Sequence, residues 1–139
     1  MALRVVVPVT ADPADRDIIL AGLKAYNESQ VGPGGHEAVS ALIQDETGAT
    51  VGGLWGRSAF GWLFIELVFV PESLRGRGLG RELMRAAEHA ARARGCHGVW
   101  LDTYEFQARG FYEKQGYRLF GELDDYPTGH KRFFLSKRL

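Results

Sequence analysis

Cys96 is the only cysteine among the 139 residues, so the chain can close no internal disulfide. It can build no thiolate cluster around a metal either, and His36, His89, His97 and His130 show no ligand spacing. No metal site is expected. Net charge is missing as well. Seventeen Lys and Arg face 17 Asp and Glu, a formal charge of zero. That balance removes the long-range attraction that nucleic acids and anionic membranes exert on basic proteins, so neither is expected as a partner. Long apolar runs are absent too. The apolar stretch in residues 1–9 is too short for a signal segment and is soon interrupted by Pro8 and Asp12, and no stretch approaches a membrane span. These absences point to a soluble cytoplasmic protein. No repeat, low-complexity tract or linker divides the chain, which reads as a single domain, 1–139.

What is present is enough apolar material for a core, 45% of residues. Residues 3–7, LRVVV, form a short β-branched segment that predicts a strand stopped by Pro8. Thr10 or Asp12 can cap a helix with Pro13 in its first turn, and Ile18, Ile19, Gly22, Leu23 and Tyr26 recur at helical spacing. Residues 27–35 are rich in Gly, Pro and Ser and predict a loop. Strands are predicted over residues 38–44, 50–57 and 62–70, as an antiparallel meander. Leu79, Leu83, Ala86, Ala87 and Ala90 then share one helical face, with Gly95 placed as the stop. A strand over residues 98–103, a short helix over 108–115, and paired strands over 117–123 and 131–139 complete the order β-α-β-β-β-α-β-α-β-β. The expected class is α/β (α+β), a mixed central sheet flanked by helices.

Residues 74–81, LRGRGLGR, sit where a strand ends and a helix begins. A helix start leaves N–H groups without partners, and its dipole favours an anion. Glycines allow a phosphate to reach those groups, and Arg75, Arg77 and Arg81 add positive charge. The segment therefore predicts a phosphate or pyrophosphate site. It lacks the Gly-Lys-Ser/Thr of a Walker loop, and Arg81 stands where a dinucleotide fingerprint needs its third glycine. It does satisfy R/Q-x-x-G-x-G/A in full, as Arg75-Gly-Arg-Gly78-Leu-Gly80.

That pattern resembles motif A of the GCN5-related N-acetyltransferases, the GNAT superfamily. VFVPESLRGRGLGRELM, residues 68–84, is similar to the family's strand–loop–helix unit, and FYEKQGY, residues 111–117, to its motif B. GGLWG, FQARGFYEKQGY and DDYPTGH resemble segments of small bacterial members. The resemblance implies a GNAT acyl-CoA N-acyltransferase fold and direct transfer of the acetyl group of acetyl-CoA to a primary amine of a small molecule. A catalytically idle acyl-CoA sensor or partner-binding module on the same fold remains the alternative.

The resemblance also implies residue roles. Gly76, Gly78, Leu79 and Gly80, with Arg75, Arg77 and Arg81, would hold the coenzyme's pyrophosphate, and Val68, Phe69 and Val70 its pantetheine arm. Tyr112 would protonate the departing thiolate; the competing reading is a phenol packed on an amphipathic helix. The family's Asn before this helix is replaced here by Glu105, so Gln107 is the candidate amide donor, or else only a helix-start hydrogen bond. Glu66 is the candidate base, by itself or through a water, on the same strand face as Phe64 and Val68; the competing reading is a solvent-facing or arginine-paired carboxylate. Asp102 and His130 are weaker candidates, and Cys96 reads as a buried, inert thiol. Trp55, Tyr26, Asn27 and residues 122–126 could border the acceptor, whose acids Glu122, Asp124 and Asp125 would favour a cation or simply form a solvated turn. The open edges of a small mixed sheet leave a homodimer as a candidate assembly.

Overall fold

The computed structural model describes all residues from Met1 to Leu139. They divide into two compact units, Met1–Gly34 and Gly35–Leu139. The first holds one helix, α1 (Pro13–Val31), whose Asp12 cap accepts a hydrogen bond from the Ala14 N–H and whose Pro13 opens the first turn. The helix runs on through residues 27–31, where a loop was expected. Asn27, Glu28 and Ser29 carry only a small helix penalty, whereas the true break is Gly32 at φ 86°, whose N–H closes on Glu28 O. No residue of α1 is buried. Residues 3–7 are not a strand. A β ladder requires a partner for its N–H and C=O groups, so β propensity alone does not make a strand.

The second unit carries β1 (Glu37–Gln44), β2 (Thr50–Ala59), β3 (Trp62–Phe69), α2 (Leu79–Ala93), β4 (Gly98–Tyr104), α3 (Arg109–Glu113), β5 (Arg118–Leu123) and β6 (Arg132–Arg138). The strands form one sheet in the order β1-β2-β3-β4-β6-β5. The expected meander of β1, β2 and β3 is antiparallel, as is the final pair of β5 and β6. Sequence order did not reveal that β6 inserts between β4 and β5.

Alternate residues of each strand enter one core, in which Leu63, Val99, Leu101 and Leu135 are sealed from solvent together with Met84 of α2. The buried face of α2 is Leu83, Met84, Ala87, Glu88 and Ala91, so Ala86, expected inward, is exposed. Glu88 is tolerated there because Tyr117 donates to it at 2.8 Å and Lys137 at 2.8 Å. At the far end of α2, Arg94 donates to the Ala38 carbonyl at 3.0 Å and to the Ser58 hydroxyl at 3.1 Å, tying the helix to the first two strands.

Two irregularities shape the middle of the sheet. The ladder between β2 and β3 shifts register at Trp55/Gly56, so that Trp55 faces Leu67 and Gly56 faces Ile65, with Glu66 unmatched between them. This is a β-bulge. Secondly, the parallel pairing of β3 with β4 stops early. It runs only from Trp62 opposite Gly98 to Ile65 opposite Leu101. Beyond that point β3 stays with β2, while β4 stays with β6 to Tyr104 opposite Arg132. The central strands part, and the gap between them opens a cleft.

Candidate functional site

The cleft between the parted strands encloses about 1060 Å³ and lies wholly within the second unit. One wall is the end of β3, from Ile65 through Val70; the other is the end of β4, from Leu101 through Tyr104. The loop before α2 closes one end, and α3 contributes Phe111 and Tyr112. Leu101 and Thr103 are buried, so the β4 wall is anchored in the core rather than carried on a loop.

The loop after β3 begins with a 3₁₀ turn, Glu72–Leu74, and is pinned by Arg75, whose Nε donates to the Val70 carbonyl at 3.0 Å. Arg75 thus fixes the loop to the strand as well as bringing charge. Gly76 and Gly78 both stand at φ 80°, a region costly for residues with a Cβ. Gly78 is the N-cap of α2 and supplies no side-chain cap. The first helical bond is from Glu82 N–H to Gly78 O. The N–H groups of Leu79, Gly80 and Arg81 precede it and lack an intrahelical acceptor, which gives the cleft a row of donors at a positive helix end. Gly80 has a different reason to be glycine: a Cβ there would lie 3.1 Å from Phe111 Cζ. Its bareness lets α3 pack against the start of α2. Arg75, Gly76, Gly78, Leu79, Gly80 and Arg81 all line the cleft, whereas Arg77 does not.

Tyr112 sits on the cleft wall, half-buried, with Phe111 edge-on at 5.1 Å and Tyr117 edge-on at 6.1 Å between ring centroids. Burial, and then the negative charge of Asp102, push its phenol above the ordinary value. It therefore holds its proton firmly at neutral pH. Asp102 lines the same cleft and is paired with Arg132, which also stacks on Tyr104 at 4.5 Å and on Tyr126 at 4.6 Å. The sequence reading missed Arg132. It lies some thirty positions after Asp102, and only the insertion of β6 beside β4 makes the two cross-strand neighbours.

Glu66 also lines the cleft, but it is exposed rather than enclosed between apolar neighbours. The expected alternation, with Val68 on the face of Glu66, fails because the bulge inserts one residue. Val68 packs instead against the core that holds Leu63 and Ile65. Val68, Phe69 and Val70 remain on the cleft wall. Gln107 lines the cleft while its Oε1 accepts from the Thr103 hydroxyl and the Tyr104 N–H, each at 2.9 Å. Its carbonyl end thus locks the end of β4, leaving the amide NH₂ as the available donor.

The remaining candidates separate from this group. His130 pairs with Glu105 at 2.9 Å, and neither lines the cleft. Cys96 precedes β4, away from the cleft wall, and burial pushes its thiol up despite Arg94. Tyr26 and Asn27 belong to the first unit. Lys131 offsets one of the three negative charges of the acidic turn, reaching Asp124 at 2.8 Å and Glu122 at 3.5 Å. Asp125 is left beside Tyr104, Phe106, Tyr126 and Pro127 in an open aromatic hollow of about 580 Å³. Tyr104 and Phe106 stack there at 5.0 Å, and both also line the larger cleft.

Comparison with known proteins agrees with this geometry. The family model described as Acetyltransferase (GNAT) family matches residues 17–117. An acetyltransferase of Agrobacterium fabrum is 36% identical over 133 residues, covering 94% of this chain and 97% of its own. Blasticidin-S acetyltransferase of Streptomyces morookaense is 43% identical over 104 residues, 74% of this chain and 76% of its own. The crystal structure of an acetyltransferase from Agrobacterium tumefaciens superposes with a TM-score of 0.92 at 34% identity, over 99% of this chain and 100% of that one.

Proposed function

We propose that this chain, which belongs to the Acetyltransferase (GNAT) family, is an acetyl-CoA-dependent N-acetyltransferase acting on a primary amine of a small molecule. The observation that carries this reading is one cleft in which an uncapped helix start, parted strands and a proton-retaining phenol meet. The free N–H groups of Leu79, Gly80 and Arg81, at a positive helix end, suit a diphosphate. The stretch of β3 that β4 abandons suits a pantetheine amide chain, because its backbone is not committed to β4. The NH₂ of Gln107 adds one donor from the opposite wall.

In the transfer, the amine nitrogen bonds to the thioester carbon, the C–S bond breaks, and sulfur leaves with the bonding pair. Tyr112 gives its proton to that sulfur and regains one from solvent. Glu66, by itself or through a water, takes the proton that the attacking nitrogen sheds; its exposure suits a group that must return protons to bulk water. A backbone N–H beside the bulge, near Val68, stabilises the transient oxyanion. No covalent enzyme intermediate is needed, and Cys96 takes no part. The hollow beside Tyr104, Phe106 and Tyr126 supplies an aromatic border for the acceptor.

The test is release of free thiol from acetyl-CoA in the presence of a panel of amines, including blasticidin S because a relative bears that name. Amine-dependent thiol release that is lost in Tyr112→Phe, with coenzyme A affinity unchanged, supports the reading. Tight coenzyme binding with no thiol release for any amine would favour the sensor instead.

A further inference from the structure

We infer that Asp102 anchors the acceptor's nitrogen and that Arg132 is a positioning residue holding it there, so that the enzyme takes primary amines with no carboxylate beside the amino group. The inference rests on the proposed amine transfer and names its substrate class. Its ground is the point at which the strands part. The last parallel pair is Ile65 opposite Leu101, and both side chains are buried in the core. The next residues, Glu66 and Asp102, therefore fall on the other face of the sheet, one on each wall of the opening. Phe64 and Trp100, two positions earlier on that face, still stack at 4.1 Å. Glu66 and Asp102 both line the cleft, as does Tyr112.

Asp102 is held in place from β6. Phe134 faces it across the ladder, and Arg132, two residues earlier, faces Tyr104. The Arg132 guanidinium stacks on Tyr104 at 4.5 Å and on Tyr126 at 4.6 Å, while its Nη2 donates to Asp102 Oδ1. Packed on two rings and bonded to Asp102, it is not free to bind an anion. It fixes the Asp102 rotamer and leaves Oδ2 as an acceptor. A primary ammonium has three protons. One passes to Glu66 before attack, one is shed to solvent as the C–S bond breaks, and the third stays on Oδ2 throughout. A secondary ammonium has none left for that bond.

Charge at the opening narrows the class further. Asp102 is matched by Arg132, whereas Glu66 has no ion-pair partner within the second unit. The other cations of the cleft, Arg75 and Arg81, belong to the loop and helix start that close one end. A carboxylate on the carbon that bears the amino group would lie beside Glu66 and Asp102 with no cation to pair it.

The test measures thiol release from acetyl-CoA with three matched pairs: tyramine and tyrosine, histamine and histidine, agmatine and arginine. Each pair differs by one carboxylate, and the member without it should show a kcat/KM at least about tenfold higher. These comparisons need only the wild-type chain, so they decide even where a variant unfolds. Asp102→Asn keeps a side-chain oxygen for Arg132. It should raise the amine KM roughly tenfold or more, with coenzyme A affinity unchanged by calorimetry. Arg132→Gln should reproduce that split, whereas an ion pair that only braces the sheet would lower thermal stability and leave the amine KM alone. Equal rates within the pairs, or an amine KM indifferent to Asp102→Asn, would overturn the inference and leave the transfer reading intact. Thiol release with none of the six, while coenzyme A still binds, would remove both together.

Discussion

Half-buried Tyr112 and buried Tyr117 are both phenols with raised proton affinity, yet they face different tasks. Tyr112 opens on the cleft, whereas Tyr117 donates to Glu88 at 2.8 Å inside the core. Replacing Tyr112 by Phe should lower kcat by roughly 10²–10⁴ with coenzyme affinity kept, measured by steady-state kinetics and calorimetry. For Tyr117, burial and then Glu88 push the phenol up from its ordinary 10.0. A proton held more tightly in the folded state stabilises below the unfolded value, and that contribution is lost as pH rises. Urea unfolding should therefore show stability falling above about pH 10, by up to about 1.4 kcal/mol per unit for this group, and Tyr117→Phe should flatten the decline. Motif position alone pointed to Tyr112. Nothing in the sequence pointed to the Glu88–Tyr117–Lys137 cluster, because its members are 29 and 49 positions apart.

At the scale of elements, the start of α2 carries the most information per residue. Gly78 adopts φ 80° at an N-cap, and Gly80 touches Phe111 of the neighbouring helix. Gly78→Ala should cost about 1–2 kcal/mol for the left-handed conformation and weaken coenzyme binding. Gly80→Ala should act differently. The added methyl must move the Phe111 ring by a few tenths of an ångström, and with it α3 and Tyr112; kcat should fall more than coenzyme affinity, while stability changes by less than about 1 kcal/mol because the gain in helix propensity offsets the tight contact. Kinetics and thermal unfolding of the two variants separate these outcomes. The glycines and the strand–loop–helix context were readable in sequence, since turn chemistry is local. The division of labour among them was not, because it depends on what α3 brings near. Likewise Val68 left the strand face it was expected to share with Glu66, because a bulge is set by the pairing of two strands, not by the composition of one.

At the scale of the molecule, function follows from a sheet whose middle strands separate. β3 leaves β4 after Ile65 because β2 and β6 each hold their partner beyond that point. A ligand filling the resulting cleft should stabilise the fold by mass action. Acetyl-CoA at a hundred times its Kd should add about 2.7 kcal/mol and raise Tm by on the order of 5–10 °C, read by thermal shift. Desulfo-coenzyme A should do nearly as well, because the proposed grip is on the diphosphate and the amide chain.

The sequence by itself determined most of the elements, the class, the family and the glycine-rich loop before α2. Each of these rests on periodicity, capping and turn residues acting over a few positions, or on a motif spanning one strand–loop–helix unit. Only the tertiary structure decided that β6 inserts beside β4, that Arg132 meets Asp102, that Glu88 is buried and that residues 3–7 form no strand. The physical reason is common to all four. A ladder, an ion pair or a burial is an agreement between distant segments, and local propensity does not say which segment will be there.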